Sequence, residues 1–354
     1  MSTYRVAIIG LGRMGSTIDD EGHGPLPYSI ASATGASERL ELVAGCDLDG
    51  GKRAAFSQRW GIDAVYEDFQ QMVEQEQPDL VAVCTRAAGT DHREAPDAAY
   101  REDLHADLTV ALANSKVPML YVEKAMACSM GRADEIRDAV HTNGTVFNSG
   151  VLRRFDNRYD VVRDAVLGGK IGEPKAVVHY AASSLLHGHI HSIDTVSWLL
   201  GDPTIVQVRG ELDPRDYAIV GGHIPYDPRA TYELLFEGGV RAWTVPASYW
   251  EFEVIGTEGA VRSLNNGADA SLRVAQEGRG WQEIGLPPVE PVSTAMSCLE
   301  DLVAAHESAT PSRGNIDVTH HVTEACLAVA ESHRRGSNWV ELPGVDRDLY
   351  VFHI

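Results

Sequence analysis

The residues most able to do chemistry begin with a glycine loop. Val6-Ala7-Ile8-Ile9 is a short apolar run of the kind that forms a buried parallel strand, and Gly10-Leu11-Gly12-Arg13-Met14-Gly15 follows it directly. A G-x-G-x-x-G between a strand and a helix is a phosphate cradle. Gly10 permits the tight turn, Gly12 lets a pyrophosphate approach the backbone, and Gly15 lets helix and strand pack closely. The anion then meets free N–H groups at the helix start. Asp47 ends a second apolar strand, Leu40 to Cys46. A carboxylate there accepts hydrogen bonds from the hydroxyls of an adenosine ribose and repels a 2′-phosphate, which favours NAD over NADP. Asp47 lies 32 residues after Gly15, where a plain unit would place it about 20 on. The stretch Asp19 to Tyr28 accounts for the difference as an insertion in the first helix-to-strand connection. Lys52 and Arg53, just beyond Asp47, would tolerate a phosphate, so NADP is the second candidate.

Two later strands end in polar residues: Leu80 to Cys84 in Thr85-Arg86, and Met119 to Val122 in Glu123-Lys124. Open parallel sheets bind ligands at these carboxyl edges. An ammonium at Lys124 would polarise a carbonyl or stabilise a developing alkoxide, with Glu123 holding it by an ion pair. Arg86 is placed to pack near an adenine or to hold the inserted loop. The segment from Ala87 to Asp103 is longer than a minimal connection and reads as a surface excursion towards the site. His105, at the next helix start, reads as a cap, a cofactor-side group or a solvent-exposed histidine. His187, His189 and His191 alternate; on a strand they share one face, and on a helix His187 and His191 do. No cysteine or compact carboxylate cluster completes a ligand set beside them, so no metal is expected. Arg153 and Arg154 are equally suited to anchoring a carboxylate or cofactor and to pairing with acidic neighbours such as Asp156.

The elements that position these residues alternate through the first third of the chain. Strand-like runs are separated by helical segments at Lys52 to Trp60, Phe69 to Gln75, Leu104 to Asn114 and Gly131 to Thr142. That rhythm predicts an α/β, doubly wound parallel sheet over residues 1–148. From Val151 strands follow one another without intervening helices: Lys175 to Ser183, Thr204 to Glu211, Ala230 to Glu237, Val240 to Val245 and Phe252 to Ile255. Residues 149–354 therefore read as an α+β domain with a large, open, mostly antiparallel sheet, with helices at Tyr159 to Leu167, Ser192 to Leu200 and Asp317 to Arg335. At 354 residues the chain is long for one core, which supports two domains. A formal charge of −21 repels phosphate backbones and anionic lipid, so neither nucleic acid nor membrane is an expected partner. The N-terminus shows no signal peptide and no run is long enough to span a bilayer. The cysteines, Cys46, Cys84, Cys128, Cys298 and Cys326, are odd in number and lack a C-x-x-C pair, which fits a reducing cytoplasm.

Taken in order, several of these pieces resemble the Gfo/Idh/MocA family of oxidoreductases, named for glucose–fructose oxidoreductase and inositol dehydrogenase. They are the glycine loop, Glu123-Lys124-Ala125 for E-K-P, and Arg153-Arg154-Phe155 for R-R-F. Next comes His187 to Asp194 for D-x-x-x-H-x-x-D, followed by Trp198-Leu199-Leu200-Gly201. The last is Val254 to Gly259 for V-x-G-T-x-G. The resemblance implies that Lys124 touches the reacting hydroxyl near the nicotinamide, that His191 is the general acid/base, and that Asp194 helps bind polyols. It implies a sugar or cyclitol substrate and a homo-oligomer, dimer or tetramer, built through the C-terminal sheet, where Tyr249 to Phe252 would pack on another subunit. Two positions depart from the pattern. Ala125 replaces the proline, which puts the backbone isomer there in question, and His187 replaces the first aspartate.

Physical chemistry supports the same roles. Oxidising a secondary alcohol removes a proton from O–H while hydride leaves carbon, and histidine titrates in the right range to be the base. The expectation is an NAD(P)-dependent oxidoreductase acting on CH–OH groups. Lys124, His191, His187 and Asp194 would carry the chemistry, and Arg153 and Arg154 would help bind substrate. Gly10, Leu11, Gly12, Arg13, Met14, Gly15, Asp47, Thr85, Arg86, Glu123 and Lys124 would hold the cofactor. Two other readings fit the same residues: a tightly bound NAD cycling in a redox-neutral sugar transformation, and a non-catalytic NAD(H)-binding regulator.

Overall fold

The computed structural model describes residues 3–22, 24–87, 101–277 and 280–353, arranged around two large sheets. In the first, six strands run parallel: β1 (Tyr4–Ile9), β2 (Leu40–Cys46), β3 (Val65–Tyr66), β4 (Leu80–Val83), β5 (Met119–Val122) and β6 (Val146–Ser149). Their order is β3-β2-β1-β4-β5-β6, so the winding reverses between β1 and β4 and leaves a crevice at their carboxyl ends. The helices are α1 (Ile30–Ala36), α2 (Gly50–Trp60), α3 (Phe69–Glu76), α4 (Leu104–Asn114) and α5 (Met130–Asn143). Side chains of Asp49, Asp68, Asp103 and Ser129 cap α2 to α5 by accepting first-turn N–H groups.

The first crossover departs from the expected strand–loop–helix. A five-residue π-turn, Arg13–Thr17, leads into a short 3-10 turn, Ile18–Glu21, and the α-helix resumes only at Ile30. The insertion thus splits the first helix rather than lengthening the connection after it. Gly22, at φ 68°, ends the 3-10 turn. Asp19 then folds the insertion back, because its carboxylate accepts the N–H of Tyr28 at 2.7 Å, the N–H of Ser29 at 3.1 Å and the hydroxyl of Ser32 at 2.9 Å. Ser29 caps the restarted helix.

The second half contributes β7 (Pro174–Ala181), β8 (Ile205–Asp213), β9 (His223–Ile224), β10 (Arg229–Phe236), β11 (Arg241–Val245), β12 (Tyr249–Gly256), β13 (Gly259–Leu264), β14 (Asp269–Gln276), β15 (Gly280–Ile284), β16 (Val340–Glu341) and β17 (Tyr350–Val351). Nine of these form one sheet in the order β15-β14-β13-β12-β7-β11-β10-β8-β16, antiparallel except for the β7–β11 pair. β9 and β17 pair separately, which brings the end of the chain back beside the crevice. The helices are α6 (Asn157–Leu167), α7 (Ile190–Leu200), α8 (Thr294–Ser308) and α9 (Ile316–Arg334). α9 lies on the sheet, where Gly210 leaves room for Val329.

The two sheets divide the chain near Ser149, but α8 crosses back. Its Ala295, Cys298, Leu299, Leu302 and Val303 pack with Val6, Ile8, Ile30, Met119 and Tyr121 of the first half. Asn148 fixes the helix by donating to the Cys298 carbonyl and to Asp301 Oδ2, both at 3.1 Å. No described helix is long and apolar enough to cross a membrane.

Candidate active site

The glycine loop is shaped by three different needs. Gly10 has φ 93°, and a Cβ there would sit 2.6 Å from the Cys84 carbonyl carbon. A Cβ on Gly15 would fall 2.1 Å from the Gly10 carbonyl oxygen. These two are demanded by the fold itself. A Cβ on Gly12 would meet nothing within 4 Å, so its openness serves whatever enters the cavity it lines. First-turn N–H groups that follow have no earlier helical carbonyl to bond, and no side chain caps them. The turn is too short to supply the dipole of a full helix, so what it offers an anion is the amides themselves.

Asp47 is locked in place. Its Oδ2 accepts the Leu11 N–H at 2.9 Å and its Oδ1 the Asp49 N–H at 3.0 Å, with Lys52 Nζ 3.7 Å from Oδ2. Leu11 therefore serves the carboxylate with its amide, and its side chain is core. Arg53 is turned to other work: it donates to the carbonyls of Asp47 at 2.7 Å and Leu48 at 3.0 Å and to Glu67. That removes one of the two cations expected to tolerate a 2′-phosphate. Arg13 lines the cavity but is held by both oxygens of Glu21, at 2.6 and 2.7 Å. Met14 and the exposed Arg86 line the same space.

At the far end of the cavity Glu123 and Lys124 leave β5. Glu123 accepts from the Tyr121 hydroxyl and from the Lys124 N–H. The Lys124–Ala125 peptide is cis, so the alanine keeps that isomer without a proline. His105 is buried, not solvent-exposed. Its ring nitrogens lie 2.8 Å from the Ala125 carbonyl and 2.9 Å from that of Thr85, which ties the ends of β4 and β5 together. Most of the excursion expected between Ala87 and Asp103, residues 88–100, lies outside the described residues.

Lys124 Nζ is 3.2 Å from His187 Nδ1. Its pKa is lowered by burial, against which Glu123 and Asp227 push upward and Arg13 downward. The Lys124 charge, then burial, takes His187 down to about 4. His187 is therefore a neutral imidazole, able to accept a hydrogen bond from Lys124 Nζ. His191 shares the cavity, and burial followed by Lys124, Arg153, His187 and His353 places its pKa well below the ordinary histidine value. His189 turns away into the core, edge-on to Tyr232 at 5.1 Å between ring centroids and to His179 at 5.9 Å. The alternating histidines thus do not converge, because Leu185–His189 is a π-turn feeding α7. Among the described residues no group of three His, Cys, Asp or Glu is arranged to hold a metal.

The arginine pair splits, and here two expected site residues are corrected. Arg154 is fully buried: Nε reaches Asp194 Oδ1 at 2.7 Å, and its other nitrogens reach Asp202 at 2.9 and 2.7 Å. Arg154 and Asp194 do not line the cavity; they brace the segment before α6 against α7, because a buried charge needs a partner close by. Arg153 does line it, donating to Asn266 Oδ1 at 3.1 and 2.8 Å and lying over the Trp250 ring at 4.6 Å. Asp156, the acidic neighbour, is taken by Arg158 instead. Trp250 was expected to pack on another subunit. It sits at φ 52° where the β12–β7 register slips, and this bulge brings its side chain to the cavity. Asn266 at the cavity, and Asp227 and His353 beside His187, have no signal in the local sequence; only chain folding brings them there.

The whole cavity encloses about 1570 Å³, with the glycine loop and Asp47 at one end and Lys124, His187, His191, Arg153 and Trp250 at the other. Two buried hydroxyls among the lining residues, Thr85 Oγ1 and Thr294 Oγ1, have no hydrogen-bond partner among the described residues. Buried polar groups are seldom left so without a ligand or water. The open Gly12, the locked Asp47 and these orphaned hydroxyls fit an elongated dinucleotide.

A parallel sheet with a phosphate cradle at its switch point, joined to an open sheet that delivers histidines to the same crevice, defines a two-domain dinucleotide-binding protein. Residues 4–151 match the GFO_IDH_MocA family model, described as the oxidoreductase family, NAD-binding Rossmann fold. The match covers the first sheet and its helices, somewhat under half of the chain. Among curated proteins, inositol 2-dehydrogenase of Salmonella paratyphi B is 25% identical over 213 residues, 56% of this chain and 55% of that protein. The scyllo-inositol 2-dehydrogenase (NAD(+)) of Bacillus subtilis is 25% identical over 280 residues, 73% of this chain and 72% of its own length. The match to the first relative thus spans about half of its length. Among solved structures, aldose–aldose oxidoreductase from Caulobacter crescentus, complexed with glycerol, superposes with TM-score 0.75 at 19% identity, over 96% of this chain and 100% of that one. An inositol dehydrogenase homolog from Azotobacter vinelandii, complexed with NADH and myo-inositol, gives 0.72 at 16% identity over 96% and 98%. These structural likenesses establish the two-domain fold.

Proposed function

We propose that the protein is an NAD-dependent dehydrogenase, or the reverse ketoreductase, acting on a secondary hydroxyl of a sugar or cyclitol. The observation that carries this reading is the convergence of Lys124, His187 and His191 in the same cavity as the glycine loop and Asp47. NAD bound there supplies the hydride acceptor. The loop amides and Gly12 take its phosphates, Asp47 its ribose, and Thr85 and Thr294 offer polar contacts along its length. Lys124 donates a hydrogen bond to the substrate oxygen and stabilises negative charge as it develops. His191, neutral at pH 7, accepts the hydroxyl proton. Trp250 and Arg153 wall the substrate end. The names of the inositol dehydrogenases among the relatives support a polyol substrate. A cleft with convergent acid–base groups also speaks for catalysis over regulation. Apolar side chains exposed along β11, β12 and β15, among them Trp243, Val245, Tyr249, Trp281 and Ile284, support a homo-oligomer formed through the open sheet.

The test is an absorbance screen for NAD and NADP reduction across inositols, sugars and glycosides, followed by Lys124→Ala and His191→Ala. Each variant is expected to lose about 100-fold or more in kcat, with NADH binding little changed. Turnover equal to wild type in both variants, or no reduction by any polyol, would overturn the proposal.

A further inference from the structure

Among the described residues no carboxylate is in contact with Lys124 Nζ. Its contact is His187 Nδ1 at 3.2 Å, an uncharged acceptor, while Glu123 is occupied by the Tyr121 hydroxyl and by the Lys124 backbone N–H. Lys124 is half-buried, and a cation drawn partly out of water is kept charged by a countercharge nearby. The carboxylate that holds the His187 backbone is Asp227, from the loop between β9 and β10. Its Oδ1 accepts the Leu186 N–H at 2.8 Å and its Oδ2 the His187 N–H at 2.6 Å. His353, from the segment after β17, places Nδ1 3.5 Å from the same Oδ2, and its ring centroid is 5.9 Å from that of His187. His353 and Asp227 are both largely buried.

We propose that Asp227 is a positioning residue: steadied by His353, it fixes the turn that carries His187 and supplies the negative charge that keeps Lys124 an ammonium beside the reacting oxygen. This deepens the dehydrogenase reading and rests on it. The groups facing Lys124 are Glu123 on its own strand end, Arg13 from the glycine loop, His187 and His191 from the second domain, Asp227, and His353 from the tail. Of these, Glu123 and Asp227 favour the charged amine. Asp227 can do so because it stays ionised itself: burial pushes its pKa up, but His353 and the two amides outweigh that and hold it below the ordinary carboxylate value.

The chain has only five lysines, so the titration of Lys124 can be followed by NMR of 13Cε-labelled lysine in the full-length protein with NADH bound, assigned with Lys124→Arg. Asp227→Asn removes the charge and keeps an acceptor for an amide. It is expected to lower the Lys124 titration by a pH unit or more and to move the alkaline limb of kcat/KM down with it. His187→Asp/Asp227→Asn returns a carboxylate next to the amine and is expected to restore both. His353→Gln leaves both amide hydrogen bonds to Asp227 and should give a smaller shift in the same direction; it decides the matter if Asp227→Asn does not fold. An unmoved Lys124 titration in the folded variants overturns the inference. Because the NMR readout needs no substrate, it stands apart from a failed polyol screen, which would count against the dehydrogenase reading alone.

Discussion

Replacing Asp47 by Asn tests the cofactor end of the cleft without knowledge of the substrate. Asparagine is nearly isosteric, and its carbonyl oxygen can still accept the Leu11 N–H that Asp47 Oδ2 accepts at 2.9 Å, so the loop should keep its shape. Only the charge is lost. The carboxylate is 11% exposed, which places it partly out of bulk water. A unit of phosphate charge about 5 Å from it costs about 3 kcal/mol at an effective dielectric constant of about 20, or roughly two orders of magnitude in affinity. Lys52, 3.7 Å from Oδ2 in the wild type, would then be free to turn to a 2′-phosphate. Wild-type protein should bind NADH about 100-fold more tightly than NADPH, and Asp47→Asn should erase most of that ratio. Cofactor fluorescence titration at fixed ionic strength reads both constants. A wild type indifferent to the two cofactors, or a variant whose ratio stays put, refutes the assigned role of Asp47.

The glycines should separate fold from ligand. Gly10→Ala and Gly15→Ala drive a Cβ into backbone and should lower the denaturation midpoint, while Gly12→Ala should largely spare it yet weaken NADH binding about tenfold or more. The acid limb of alcohol oxidation should lie below the ordinary histidine range, because burial and the Lys124 charge lower His191 well below its usual value and the Lys124 charge and burial take His187 to about 4, so both stay neutral through the pH range where a free histidine protonates. A pH–rate profile with its acid limb near 6.5, the value for an unperturbed histidine, would contradict this. Arg154→Leu strands Asp194 and Asp202 and should cost about 3–5 kcal/mol of stability, measured by urea unfolding, without changing NADH affinity in the folded fraction.

Residues whose job is local were legible. The glycine loop, Asp47 and Lys124 sit at strand ends, and strand ends show in the sequence as apolar runs that stop. The sixfold parallel sheet followed from the same signal. What escaped was set by distant packing. Asp194 and Arg154 match a family pattern, but the sequence does not reveal that they meet one another in the core. His187, His189 and His191 looked like one face until a π-turn rotated the middle ring inward. β13 to β15 and α8 were not foreseen, since their polar and exposed positions blur any period. The first helix was expected whole because its insertion is held by an aspartate, Asp19, whose three donors lie nine or more residues away.

The return of α8 to the first sheet has a practical consequence. A fragment ending at Ser149 would bare Ile8, Ile30, Met119 and Tyr121, the apolar side chains that Leu299, Leu302 and Val303 now cover. Such a fragment should clump or remain loosely collapsed, and a chimera joined at that point would need to borrow the helix along with the strands. Calorimetry of the intact polypeptide should accordingly show one melting event rather than two.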